Sequence, residues 1–266
     1  MKINFRLKSI DKIEPVGTEL KIYISWFWLT DAELWIALGD DNIYEYSQEA
    51  LAYFEDKPSR YNDYPLVRFI EDFTKLFEQI SESVPGELYE LTPNLKQFVS
   101  NTKEWLDIYD TEEEEISDFY FEEYYNIMSW TYARSFDSGH LVGGPRFTFF
   151  RCEDKIRIIW ETESQLENGI ELWTAKNGSI ELDYFYFIEQ VKSFSQRFFS
   201  QMEKQVNLAV MKDWGKVQID KNRLVEEHNE RKEDFDRKIA YLENGSTLNT
   251  DWKLIKSLYC RMKNEI

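Results

Sequence analysis

A chain of 266 residues with 50 Asp plus Glu against 32 Lys plus Arg carries a formal charge of −18 at pH 7. Charged residues at 31% beside 42% hydrophobic and 17% aromatic residues describe a folded chain and argue against acidic disorder, which is poor in aromatics. The acid excess also argues against a nucleic-acid binder or a binder of anionic membranes, both of which neutralise phosphates with Lys and Arg.

Residues 2–8 alternate apolar and polar positions, which predicts a strand rather than the apolar core of a signal peptide. The apolar run at 22–29 is far too short to span a bilayer, so the expected compartment is the cytoplasm. Residues 20–29 read as a strand for their β-branched and aromatic content, and 33–38 with 42–46 as a hairpin turned at Gly39, Asp40 and Asp41. Beyond Pro65, Leu66, Phe69, Ile70, Phe73, Leu76, Phe77 and Ile80 fall three or four apart, the spacing of one helix face. Pro85-Gly86 closes that helix and Asn94 opens a second through Leu106. A third is predicted over 112–134, with Ile116, Tyr120, Tyr124, Ile127 and Thr131 on one side.

Alternation returns at Phe147, Phe149 and Arg151 and again at Ile156, Ile158 and Trp160, a hairpin turned at Glu153-Asp154. Residues 170–175 read as a further strand, joined through a two-residue turn at Asn177-Gly178 to a strand at 180–182. From Tyr184 the period becomes helical through Phe187, Val191, Phe194, Phe198, Met202 and Ala209. Residues 212–266 hold 12 basic and 11 acidic residues, so the acid excess lies in the first 211. Val225, His228, Lys232, Phe235, Ile239 and Leu242, then Trp252, Ile255, Tyr259 and Met262, predict a charged helical hairpin split at Asn244-Gly245-Ser246. The expected fold is α+β, antiparallel β hairpins and meanders with helices packed on one face. The expected division is an acidic domain at 1–212 and a C-terminal helical hairpin at 213–266, a candidate homodimer contact. Glu33-Leu34-Trp35-Ile36-Ala37 and Glu171-Leu172-Trp173-Thr174-Ala175 echo one another and suggest a duplicated half.

Residues 22–56 contain eight acids and 104–133 contain ten, and neither stretch has a Lys or Arg. The second also carries nine aromatics, more than one buried stripe needs, so some of its rings should be exposed. Tyr120, Glu123 and Tyr124 are its candidate binding residues: acids steer a basic partner while aromatic rings anchor it. Asp31 and Trp35 are the candidates in the first window. Arg134 ends the base-free run and is spaced to pair with Asp137; the competing reading is an anion site built on Arg134 and Arg146. His140 and His228 have no partner at a metal-ligand spacing, and Gly143-Gly144 lacks the rest of a nucleotide-binding loop, so no metal or cofactor is expected. Cys152 and Cys260 form no CxxC pair and read as small buried hydrophobes. The leading expectation is a protein-binding module with a basic protein partner. The alternative is a small-ligand binder or hydrolase-type enzyme whose pocket is lined by Trp28, Trp35, Trp160 and Trp173.

The order of Trp26-Phe27-Trp28-Leu29-Thr30-Asp31, Arg134-Ser135-Phe136-Asp137, Pro145-Arg146 and Gly169-Ile170-Glu171-Leu172-Trp173-Thr174-Ala175 resembles an uncharacterised, mainly bacterial family of unknown function. The resemblance covers about residues 1–210 and leaves the tail as an individual extension. It carries no catalytic residues, and its loose likeness to toxin-immunity proteins implies a protein partner.

Overall fold

The computed structural model describes residues 1–18, 21–55, 59–109 and 114–266. The first elements are β1 (Lys2–Leu7), β2 (Val16–Thr18), β3 (Lys21–Tyr23), α1 (Trp26–Leu29), β4 (Asp31–Leu38), β5 (Asp41–Ile43), α2 (Gln48–Tyr53) and β6 (Asn62–Pro65). β4 is the axis of the first sheet, antiparallel to β1 along one side and to β5 and β6 along the other. Its side chains alternate strictly. Ala32, Leu34, Ile36 and Leu38 are buried, while Asp31, Glu33, Trp35 and Ala37 are half-buried on the outer face, the period-2 pattern of a sheet with one wet face. Of the strand expected over 20–29, Leu20 lies outside the described residues, β3 occupies the start, and Trp26–Leu29 form a helical turn. Trp26 and Leu29 are buried there, a contact an extended chain would place on alternate sides of the backbone.

The central helices are α3 (Val67–Lys75), α4 (Phe77–Ser81), α5 (Gly86–Tyr89), α6 (Leu95–Ile108) and α7 (Glu114–Tyr132). The apolar series after Pro65 is thus divided at Leu76 between two helices that keep one buried face. The second sheet follows: β7 (Ser135–Asp137), β8 (Arg146–Cys152), β9 (Lys155–Glu161) and β10 (Gly178–Asp183), antiparallel in the spatial order β10-β9-β8-β7. The two β-rich parts of the chain therefore form separate sheets. The Asn177-Gly178 hairpin does not form, because β10 pairs with β9 while residues 170–175 make only isolated bridges. Asn177 instead accepts hydrogen bonds through Oδ1 from the Thr162 and Glu163 amides at 2.8 and 3.2 Å. Gly178 lies so close to Trp160 that a Cβ would come within 2.5 Å of its ring. The sequence echo is consequently no structural repeat: Glu33–Ala37 is a central strand, whereas Trp173 stacks on Tyr46 at 4.7 Å outside any strand.

The chain continues as α8 (Tyr184–Met211), α9 (Lys221–Asn244) and α10 (Trp252–Glu265). Each is capped by an Asp, with Asp183, Asp220 and Asp251 accepting from the amides of Tyr186, Arg223 and Leu254. The larger core gathers the inner face of the first sheet, one face of the second, α3, α4, α8 and α9. Phe73 sits at its centre with ring contacts to Phe69, Phe77, Phe136, Phe149 and Phe187. The other face of the second sheet, through Phe150, joins a smaller core with Trp105, Trp130 and residues of α10.

The two tail helices thus separate: α9 packs on α8, α4 and α3, whereas α10 packs on α7 and α6. Their residues Leu224, Phe235, Ile239, Ile255 and Met262 are buried within the chain, while Val225 of α9 and Leu254 of α10 are exposed. Neither cysteine is buried. Cys152 is half-buried at a strand end, and Cys260 faces outward on α10.

His228 of α9 is 6% exposed against Trp26, whose Nε1 donates to Nδ1 at 3.5 Å. Burial lowers its pKa, against a raising influence from Glu203 of α8, with Lys232 adding to the lowering. A lowered folded pKa means that the neutral ring's contribution to stability is present above the ordinary imidazole value and lost as pH falls through it toward the folded one. Urea midpoints taken from about pH 7 to about pH 5 should fall less for H228F than for the parent chain, since only the latter gains that proton on unfolding.

Candidate functional site

Arg134 and Asp137, three residues apart in sequence, do not pair. Arg134 follows the last turn of α7 and is 1% exposed, its Nη2 donating to Glu82 Oε2 at 2.6 Å and its Nη1 to the Trp130 carbonyl at 3.0 Å. That second bond satisfies a carbonyl left open at the helix C-terminus, where a cation is also favoured. The guanidinium lies over the Trp252 ring at 5.2 Å, and Glu82 accepts in addition from Thr250 N and Oγ1 at 3.1 and 2.7 Å. Burial lowers the Arg134 pKa while Glu82 opposes it; a guanidinium stays charged in such a setting. Arg134 is therefore closed off from any ligand. The β-strand conformation of Ser135–Asp137 carries Asp137 away from it.

The base-free helix α7 has two unlike sides. Tyr120 stacks on Tyr109 with ring centres 3.7 Å apart and meets Trp105 edge-on. Glu123 pairs with Arg261 of α10, and the Tyr124 and Tyr132 hydroxyls share a hydrogen bond of 3.2 Å. Burial together with Tyr132 pushes the Tyr124 pKa up to about 12. The three α7 residues singled out by sequence thus belong to the side that packs against α6 and α10. The rings left in solvent are others: Phe121 and Tyr125 are each 59% exposed, with Phe119 and Tyr132 also open. Phe121 and Tyr125 stand one turn apart, and Tyr132 shares their side of the helix. Asp118 and Glu122 flank them, exposed and with no ion pair among the described residues. Helical phase measured from Ile127, Met128 and Trp130, all buried, separates the two sides; without knowing which residues anchor the helix, composition alone does not.

Past Tyr132 the chain enters a cleft of about 440 Å³ between α3 and the start of the second sheet. Asp137 and Arg146 are directly opposed across β7 and β8 and both line it. Arg68 and Asp72 of α3 form the facing wall, one turn apart. His140 is held between the walls, its ring 4.7 Å from that of Tyr64 and its Nδ1 3.9 Å from Asp72. Burial lowers the His140 pKa, with Asp72 raising it, Arg68 lowering it and Asp137 raising it in decreasing order. Of the sequence candidates, the structure brings together Asp137 and Arg146, and adds Arg68, Asp72 and His140. Arg68 and Asp72 were hidden on the polar side of a helix whose buried side dominated the pattern.

Asp31 and Trp35 lie elsewhere. Asp31 accepts from Lys8 at 2.8 Å beside a second cavity of about 530 Å³ that also holds Trp28 and Asp63. Trp35 stacks on Tyr61 at 4.3 Å on the outer face of the first sheet. Trp173 donates to the Gly143 carbonyl at 2.7 Å and Trp160 to the Lys176 carbonyl at 2.8 Å, and Trp28 and Trp160 line different cavities. No group of His, Cys, Asp and Glu among the described residues has a metal-holding arrangement, and no helix there is long and apolar enough to cross a membrane.

These features define an α+β protein of two antiparallel sheets with an acidic aromatic helix face and a small charged cleft. The chain belongs to the family of unknown function DUF5984, whose model matches residues 2–258. No curated protein and no solved structure matches it. The family match runs into α10, so the tail is part of the family's common body and not an individual extension.

Removing one partner of a buried ion pair leaves an uncompensated charge, at a cost of about 3–5 kcal/mol. R134M should lose stability on that scale in urea denaturation, and E82Q added to it should restore part of the loss by removing the stranded carboxylate. A double variant no more stable than R134M would show that lost packing on Trp252 dominates.

Proposed function

We propose that this protein is a cytoplasmic protein-binding module whose exposed α7 face captures a basic protein. The observation that carries the reading is the pairing of Phe121 and Tyr125, both 59% exposed and one turn apart, with Asp118 and Glu122 beside them. Large rings in solvent are ordinary when scattered; two side by side on a helix flanked by carboxylates without counter-ions have the make-up of an interface. The rings give contact area with few rotatable bonds, and the acids raise the encounter rate with a positive surface. An immunity-like role, in which this face masks a basic toxin, is the particular form of the reading.

The test is affinity capture from cells that make the protein, followed by titration of the purified partner with the parent chain, F121A, Y125A and E122K. A basic partner should bind the parent chain, lose affinity by about tenfold or more on either ring truncation, and bind more weakly as salt rises from about 0.05 to about 0.5 M. A partner that binds all four chains equally, or whose affinity ignores salt, would sink the proposal.

A further inference from the structure

The cleft beside α7 has a charge pattern that is satisfied only on its helix side. Asp137 and Arg146 occupy directly opposed positions of β7 and β8, so their side chains leave the same face of the sheet. Opposite charges in that relation ordinarily interact, yet neither makes an ion pair: Asp137 accepts only from the Gly139 amide at 3.1 Å, and Arg146 has no carboxylate partner among the described residues. Across the opening, Arg68 reaches Glu71 at 3.7 Å and lies over the Phe27 ring at 5.1 Å, and Asp72 is held by Lys75 at 3.2 Å. The lining thus offers two guanidiniums and two carboxylates around an imidazole that burial keeps toward its neutral form.

The backbone that presents these groups is fixed. Ser138 is buried, hydrogen-bonded to the Tyr44 hydroxyl at 2.6 Å and to the Pro145 carbonyl at 3.0 Å. Gly144 packs so tightly that a Cβ would lie 2.4 Å from the Ser138 carbonyl oxygen, and the Gly143 carbonyl is bonded by Trp173. The loop carrying His140 is therefore pinned at both ends, which is the preorganisation that a binding site requires.

A simple anion in this cleft would meet the arginines and be repelled by Asp72 and Asp137, and a simple cation would face the converse. A molecule bearing both charges satisfies both sets. We propose that the cleft binds a small zwitterion of the α-amino-acid type, a free amino acid or short peptide, with its carboxylate toward Arg146 and Arg68 and its ammonium toward Asp137 and Asp72. A volume of about 440 Å³ accommodates a molecule of that size, and the rings of Tyr64 and Tyr132 wall the space for its side chain. This site is independent of the α7 docking face, apart from Tyr132, which borders both.

Calorimetric titration of the full chain with the common amino acids and representative dipeptides, their N-acetyl and C-amide derivatives, and inorganic phosphate tests the assignment. At least one free zwitterion should bind saturably, and each of its two blocked derivatives at least about tenfold more weakly. R146Q and D137N should each weaken it by a similar factor, D137N keeping the acceptor for Gly139; F121A, away from the cleft, should leave it unchanged. Circular dichroism and melting curves establish that the variants are folded. The proposal is overturned if no zwitterion binds, if the N-acetyl derivative or phosphate binds as tightly as the free form, if the amide does, or if R146Q and D137N bind like the parent chain.

Discussion

The buried contact between Arg134 and Glu82 is where α4, α7, the second sheet and α10 are tied to one another. Glu82 lies just past α4 in the larger core's layer of helices, Arg134 is the hinge between α7 and the second sheet, and Thr250 and Trp252 lead into α10. Two desolvated charges alone are a doubtful source of stability. Here the pair is surrounded by further donors to Glu82, a helix carbonyl for Arg134 and an aromatic face, which offset part of the lost hydration, although Arg134 Nε has no hydrogen-bond partner. What the contact secures is relative placement. The direction of α7, and the departure of β7 that puts Asp137 beside Arg146, both start from the residue it immobilises.

The second sheet is the other determinant of layout. β8 is buried on both faces, with Phe147 and Phe149 in the larger core, against Tyr44 and against Phe187 of α8, and Phe150 toward Trp130. A strand of that kind needs a layer on each side, and the helices α6, α7 and α10 supply the outer one. The apolar sides of all three are used in doing so. The rings of α7 that face solvent are surplus to this packing, which is why they stand out as candidates for contact with another molecule.

Much of this was readable in the chain. The alternation in residues 31–38, the paired alternation across Glu153-Asp154 and the long helical period after Tyr184 each report a local burial pattern that the structure reproduces. Where the reading departed, a distant partner decided the outcome. Asn177-Gly178 has the chemistry of a tight turn, but the amides of Thr162 and Glu163 and the Trp160 ring recruit it for strand-edge capping. Spacing pairs Arg134 with its neighbour Asp137, whereas its partner Glu82 lies 52 residues earlier, a relation no spacing encodes. In the cleft, Asp137 and Arg146 are each singled out through Arg134, and only the strand β7, which no alternation announces, makes them neighbours; Arg68 and Asp72 arrive on a helix placed there by packing of Phe69 and Phe73.

The position of α10 has a consequence for how the protein is made. Its Ile255, Leu258 and Met262 complete a core whose other members, among them Trp105, Trp130 and Phe150, emerge from the ribosome a hundred residues or more earlier. Glu265, which accepts from the Trp105 indole at 2.7 Å, comes later still. Until α10 is made, the side of this core that it covers lacks its packing partner, at a stage when exposed apolar surface invites misassembly. Residues 104–133 carry ten acids and no base, and like charge of that density opposes the close approach of one unfinished chain to another.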